Sequence, residues 1–587
     1  MRTNGPFYLG FDLSTQQLKV IAVDLNLHAI TSAKVDFDAD FGKKYGIIKG
    51  VLTNKDLGEV FAPVSMWLDA IDLIFTRLRN TGLDLSRVYG MSGSCQQHGS
   101  VWWNFQAEAK LQTLDPAKSL VEQLKDSLSH PFAPNWQDHS TQSECDEFNK
   151  LFGSAANLAN ITGSAAHHRF TGPQIMRIRR VYPSIYENTS RISLVSSFLS
   201  SVLLGTLAPI DISDACGTNM WDIPGDCWNT SALTLVTGGP AGLSSLFEKL
   251  GDIWKDGSRP MGKICSYFAQ KYGINEDCQV VPFTGDNPAT MLALPLRPLD
   301  AIVSLGTSTT FLMNTPYYKP DPAYHFLNHP TSRGQYIFML CYKNGGLARE
   351  KVRDLLPVPP RDSDPWASFN TAVLNTPPLD MYSPSDRAKL GLYFCLPEIV
   401  PNISSGTWRY TCAPDGTDVK DEQGGPNSIN TSERDSIRGW DIKTDARIIV
   451  ESQALSMRLR SQSLVHTPSP TLPAQPRRIY LVGGGSLNPA IARVLGDVLG
   501  GAEGVYRLDV GGHACALGGA YKAVWALERQ NKNETFDDFI DIRWKEERAV
   551  QKLNDGYREG TFELYGNVMK AFKNMELRVL LEQGEKV

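Results

Sequence analysis

The sequence holds no Cys-x-x-Cys pair among its ten cysteines and no His-Glu-x-x-His among its ten histidines. A zinc site is thereby disfavoured, and cysteines scattered through 587 residues read as reduced, mostly buried thiols. Basic charge is not in excess either: 58 Lys and Arg stand against 63 Asp and Glu, a net charge of −5. That balance removes the default electrostatic case for a nucleic-acid partner. No Walker A sequence and no His-Arg-Asp kinase loop occurs, which excludes two nucleotide-binding architectures. Long apolar runs are scarce. Residues 192–210 carry no charge, but five serines, Gly205, Thr206 and Pro209 make them a poor membrane span, and they read as a buried helix. Asp12 interrupts the N-terminal segment before a signal-peptide core forms. A cytoplasmic protein without membrane or nucleic-acid partners is expected, and the sequence fits a monomer or a dimer alike.

What is present describes a folded, loop-rich chain, 42% hydrophobic and 21% charged, too long for one core. Residues 7–12 form a compact apolar run ending in Asp12. A polar turn at 13–17 and a second apolar run at 18–24 follow, which predicts a hairpin. The pattern returns at 301–305, turn 306–308 and 309–313. Two such hairpins, each opening one half of the chain, suggest a duplicated domain facing itself across a cleft. A helix over 64–78 and a strand over 88–92 make the class α/β. Residues 443–464 predict a long amphipathic helix that covers a core. The stretches 413–439 and 467–476 read as surface excursions. A third glycine site runs from strand 478–482 through Gly483-Gly484-Gly485 into a helix from Ser486 to about Leu499. Glycines there let a ligand approach the backbone at a helix N-terminus. The dinucleotide fingerprint fails, because Asn488 stands at its third glycine position. That failure, with the lack of an early strand-glycine-helix unit, sets aside a nicotinamide dehydrogenase.

The combination points to phosphoryl transfer, which needs backbone donors for phosphates, an acid near Mg²⁺ and an acid to take the acceptor's proton. Asp12 ends one strand, and Asp286 follows another in Thr284-Gly285-Asp286-Asn287. Two phosphate hairpins, a late glycine-helix site and a central Gly-Asp resemble the actin-like, ribonuclease-H-like kinases. Within these, residues 6–555 resemble the FGGY carbohydrate kinases. The likeness is carried by Gly-Phe-Asp-Leu-Ser-Thr-Gln-Gln-Leu-Lys (10–19), Ser-Gly-Ser-Cys-Gln-Gln-His-Gly-Ser (92–100) and Arg-Phe-Thr-Gly-Pro-Gln-Ile (169–175). It continues in Asp-Ile-Ser-Asp-Ala-Cys-Gly-Thr-Asn (211–219), Gly-Asp-Asn-Pro-Ala (285–289), Ser-Leu-Gly-Thr-Ser (304–308) and Val-Gly-Gly-Gly-Ser-Leu-Asn (482–488). Segments 96–99 and 169–175 resemble the eukaryotic xylulose-kinase branch. The Lys and Trp that the wider family often carries after the position of Gly172 are replaced by Gln-Ile-Met-Arg-Ile-Arg-Arg. The replacement weakens a match to glycerol or gluconate kinases.

The resemblance implies two actin-like domains facing across a deep cleft: a sugar-binding domain over 1–293, a nucleotide-binding domain over 294–560 and a helical extension over 561–587. It implies ATP and Mg²⁺ as cofactors and D-xylulose as the sugar, phosphorylated at O5. His98, Arg169, Asp286 and Asn287 are expected to bind the sugar, with Asp286 also the catalytic base. Thr15, Gln16, Gly306, Thr307 and Ser308 are expected to cradle phosphates, and Gly483, Gly484, Gly485 and Asn488 to face the adenosine, with Trp366 near the base. Asp12 is the expected metal residue. The alternative readings of the residues are a satisfied histidine at 98 and a turn-forming aspartate at 286. A kinase for ribulose, gluconate or glycerol, or a silent sugar sensor on the same fold, are the alternative functions. Splitting sugar and nucleotide between two lobes implies that they close for in-line transfer.

Overall fold

The computed structural model describes residues 5–294, 296–361, 364–425, 440–467, 471–509, 512–545 and 549–584. The chain forms two compact units that are interleaved in sequence. The first holds 1–296, 320–337 and 513–544; the second holds 297–319, 338–512 and 545–587.

The first unit is built on a sheet ordered Gly262–Lys263, Gln279–Val280, Val88–Cys95, Phe7–Leu13, Gln17–Val23, Ala29–Asp36. Phe7–Leu13 is buried along its whole length, as a strand covered on both faces must be. One face is covered by the helix Val64–Asn80, whose Val64, Trp67, Leu68, Ile71, Phe75 and Leu78 recur at helical spacing and enter the core. The other face carries the helix Ala514–Glu528, which approaches so closely that a Cβ on Gly10 would stand 1.8 Å from the Ala516 carbonyl oxygen. Only glycine permits that contact. Residues 192–210 depart from the single helix expected: Thr189–Leu194 is a strand and the buried helix is Val195–Leu204. The strand pairs with Ser100–Asn104, which its alternating Ile192 and Leu194 favour. Among the described residues no helix is long and apolar enough to cross a membrane. Among the described residues the ten cysteines form no disulfide.

The second unit repeats the plan. Its sheet includes, in order, Tyr336–Tyr342, Thr309–Thr315, Ala301–Leu305, Arg478–Val482, Gly504–Leu508 and Val550–Asn554. In each unit the first strand pairs antiparallel with its hairpin partner and parallel with a strand that arrives much later. The predicted long helix is Ile442–Ser461. It buries charge as well as apolar side chains, because the helix Thr561–Glu582 packs on it: Arg447 donates to the Tyr565 hydroxyl (2.8 Å), and that hydroxyl donates to Glu451 (2.6 Å). The excursion at 413–439 contains a strand, Lys420–Gly425, paired with Gly406–Cys412; its remainder, 426–439, lies outside the described residues. Residues 468–470 of the excursion at 467–476 also lie outside them.

Candidate functional site

In the first unit, sheet register gathers the predicted acids. Asp12 pairs with Ser94, and Ser94 with Thr284, so three adjacent strands end together. At about 4.8 Å per strand, the ends of Phe7–Leu13 and Thr284–Gly285 lie about 10 Å apart. Asp286 follows at the first position of the helix Asp286–Leu292, where a negative charge suits the helix dipole. Its Oδ1 accepts from the Asn287 backbone N–H (2.8 Å) and from Asn287 Nδ2 (3.1 Å). Both contacts fall on Oδ1, which leaves Oδ2 for another donor. Burial pushes the Asp286 carboxyl up to about 7, and the Asp12 charge adds to the rise. Asp12 accepts from Ser94 Oγ (3.2 Å) and is raised by burial to about 6, against the lowering effect of Lys19. Asn287 also donates to Gln97 Oε1 (3.0 Å), which ties the Asp286 helix to the loop carrying His98.

His98 sits at φ 71°, a left-handed turn that swings its ring onto Phe170 (centroids 4.4 Å apart, 26° between planes). Its Nδ1 lies 3.1 Å from the Gly217 carbonyl oxygen. A carbonyl only accepts, so Nδ1 carries the proton and Nε2 presents a lone pair. Burial first, then Arg169 and His325, hold His98 well below the usual histidine range, so it is neutral. Arg169 donates through Nη2 to His325 Nε2 (3.2 Å), and His325 Nδ1 in turn reaches Ser164 Oγ (2.8 Å). The satisfied-histidine alternative thus describes one nitrogen of His98 and leaves the other for a ligand.

Two residues in this cluster were assigned no role from the sequence. Asp214 is buried, receives the Ser196 hydroxyl on Oδ2, and has no hydrogen-bond partner on Oδ1 among the described residues. Burial raises it to about 7. Asp211 accepts from Thr284 Oγ1 (2.7 Å) and from the backbone N–H groups of Ser213 and Asp214, and lies 3.7 Å from Lys522 Nζ. It links the strand before Asp286 to the turn holding Asp214. The spacing Asp211-x-x-Asp214 inside a quoted motif was the available signal.

Thr15 and Gln16 occupy the tip of the first hairpin. The Thr15 hydroxyl receives Trp136 Nε1 (2.8 Å), and the Gln16 side chain is exposed. In the second unit three glycine turns meet. Gly306, Thr307 and Ser308 form an exposed tip. The backbone N–H groups of Gly346 and Leu347 donate to the carbonyls of Gly306 (2.9 Å) and Thr307 (3.1 Å), which orients that tip. A Cβ on Gly346 would stand 2.5 Å from the Gly306 oxygen, so Asn344-Gly345-Gly346 belongs to the turn cluster, though its glycines were not singled out in the sequence. Gly483 and Gly485 pack on Leu305, and Gly484 faces open space. The following helix is Pro489–Leu499, preceded by a 3-10 turn at Gly484–Leu487 rather than beginning at Ser486. Asn488 caps it, accepting from Ala490 and Ile491, and its Nδ2 donates to Asn370 Oδ1 (2.6 Å). The Asn488 carboxamide is therefore committed to the fold, and it brings the helix Ala367–Asn375 alongside. Trp366 stands just before that helix, with the Arg353 guanidinium 4.6 Å above its ring and Phe369 against its edge.

Comparison with known proteins decides what this arrangement belongs to. The profile of the FGGY family of carbohydrate kinases, N-terminal domain, matches residues 126–293, and that of the C-terminal domain matches residues 301–527. The chain belongs to the FGGY carbohydrate kinases. It is 54% identical over 584 residues to D-xylulose kinase A of Aspergillus niger, covering 99% of this chain and 100% of that one. A ligand-bound xylulose kinase from Lactobacillus acidophilus superposes with a TM-score of 0.72 at 15% identity, and a gluconate kinase from the same organism with 0.71 at 15%; each match covers 98% of both chains. Such likeness shows the two-domain, actin-like FGGY fold and is blind to the sugar. Membership makes the chain an ATP-dependent carbohydrate kinase. The profiles include Arg169, Asp214 and Asp286 in one span and the three glycine turns in the other. Segments 10–19 and 92–100 lie outside both spans.

Proposed function

We propose that this FGGY kinase transfers the γ-phosphoryl group of ATP to O5 of D-xylulose, giving D-xylulose 5-phosphate and ADP. The observation that carries the reading is the Asp286 group. One carboxylate oxygen is tethered by Asn287, the other is unpartnered among the described residues, and burial sets its pKa near the working pH of a general base. In the proposed step the O5–H proton passes to Asp286, the O5–phosphorus bond forms, and the bond from phosphorus to the ADP oxygen breaks. His98 Nε2 and Asn287 Oδ1 accept from sugar hydroxyls, while Arg169 donates; polyols need such mixed partners because each hydroxyl both donates and accepts. The choice of D-xylulose over another sugar rests on segments 96–99 and 169–175 and on the Aspergillus relative's name.

Thr15, Gln16 and the tip Gly306–Ser308 are assigned to the phosphates, with Gly483–Gly485 beside the adenosine. The fit is chemical: Gly484 offers open backbone, and Thr307 and Ser308 donate to no other backbone group among the described residues. Asp12 is the residue we assign to Mg²⁺. Its carboxylate is buried and raised, a state that a cation relieves, and one or two carboxylates suffice where phosphates and water complete the shell. Bound Mg²⁺ would neutralise phosphate charge. Ten cysteines without a disulfide among the described residues fit a reducing compartment, and we assign the cytoplasm. Phosphorus NMR of the product tests the reading: phosphate coupled to the C5 methylene protons is expected, and phosphorylation at C1, or no product, contradicts it.

A further inference from the structure

Behind the three glycine turns of the second unit lies Arg349, on the helix Gly346–Arg353, with 2% of its surface exposed. Its Nη1 donates to Gln453 Oε1 (2.5 Å), a neutral amide, and its Nε has no partner among the described residues. Gln453 Nε2 in turn donates to the carbonyls of Asn344 (2.8 Å) and Gly345 (3.1 Å). On the other side, Arg349 Nη2 lies 3.6 Å from where a Cβ of Gly485 would stand. The guanidinium is thus wedged between two of the turns, and its own helix fixes the third through Gly346 and Leu347. No carboxylate forms an ion pair with it among the described residues; Glu350 acts only at longer range, and burial lowers Arg349 to about 10, which leaves it charged at neutral pH. A buried cation without a counter-charge is costly, and such charges are otherwise paired or hydrogen-bonded throughout.

We infer that Arg349 supplies the fixed positive charge against which the nucleotide's phosphates bind, acting through the glycine turns rather than by touching the base or the sugar. This rests on the assignment of those turns to ATP. The backbone amides there carry only partial charge, and the tip residues Gly306, Thr307 and Ser308 carry none. A full charge in a poorly solvated position acts across several ångströms with little screening.

Calorimetric affinities of the full chain for ATP, ADP and adenosine, at fixed Mg²⁺ and without sugar, test the inference. Arg349→Gln is expected to weaken ATP and ADP about tenfold and to leave adenosine within about twofold of wild type. Arg349→Lys, which keeps the charge and loses the planar fork, is expected to retain most of the wild-type preference for ATP over adenosine. Equal weakening of all three ligands by Arg349→Gln means a merely structural role and overturns the inference, as does unchanged ATP affinity. If Arg349→Gln does not fold, a lysine variant that folds but loses the preference overturns it equally. A wild-type chain that binds none of the three fails one level lower, at the nucleotide assignment itself.

Discussion

On the proposed reading, single atoms of Asp286 decide the chemistry. Asp286→Ala is expected to lower kcat by about 10²–10⁴, the usual worth of a positioned general base, with ATP affinity kept. Near-wild-type turnover would remove Asp286 from the reaction. The base must be ionised, so kcat/KM for the sugar should rise with pH through about 7 and fall below it; a profile flat from pH 5 to 8 contradicts the role. Stability runs the other way. A carboxyl whose folded pKa is raised to about 7 contributes stability that is complete below its unfolded value and is lost as pH rises through 7. Asp286→Asn should therefore melt above wild type at pH 8, by about 2–4 °C per kcal/mol recovered, and the gap should shrink at pH 5. A gap independent of pH would show that the acid's ionisation does not drive it. His98, Arg169 and Asp286 were picked out by resemblance to the family segments 92–100, 169–175 and 285–289. Asp211 and Asp214 stand inside the quoted segment 211–219, but their partners, like that of His325, show only once folding brings Lys522, Ser196 and Ser164 to them.

The glycine turns allow a sharper separation of fold from binding, because neighbouring glycines meet different surroundings. Gly346→Ala puts a Cβ 2.5 Å from a carbonyl oxygen, and overpacking of that kind costs about 1–3 kcal/mol, read as a lowered Tm. Gly484→Ala meets nothing within 4 Å, so Tm should hold while ATP binding weakens. Unchanged ATP affinity in Gly484→Ala would place the nucleotide elsewhere. Both hairpins and the helix Ile442–Ser461 were readable from apolar periodicity. The strand Lys420–Gly425 was not, because Lys-Asp-Glu-Gln-Gly-Gly has no apolar alternation and takes its strand form in pairing with Gly406–Cys412. Residues 192–210 misled for the opposite reason: Ile192 and Leu194 fit a strand and a helix equally well until Ser100–Asn104 arrives to pair with them.

On the scale of the chain, duplication was visible as two hairpins some 300 residues apart, and the repeated strand order bears that reading out. Interleaving was not visible: residues 513–544 return to the first unit, where the helix Ala514–Glu528 seals the sheet beneath Gly10. If sugar and nucleotide belong to different units, hydrogen exchange should divide accordingly. D-xylulose alone should protect amides near His98, Arg169 and Asp286, and ADP alone those near 306–308, 344–346 and 483–485. Protection of the glycine turns by the sugar alone would contradict that assignment. The central claim, a kinase selective for D-xylulose, is tested most directly by a coupled ADP-release assay across D-xylulose, D-ribulose, L-ribulose, glycerol and gluconate. The highest kcat/KM is expected for D-xylulose, and a higher value for any of the other four contradicts it.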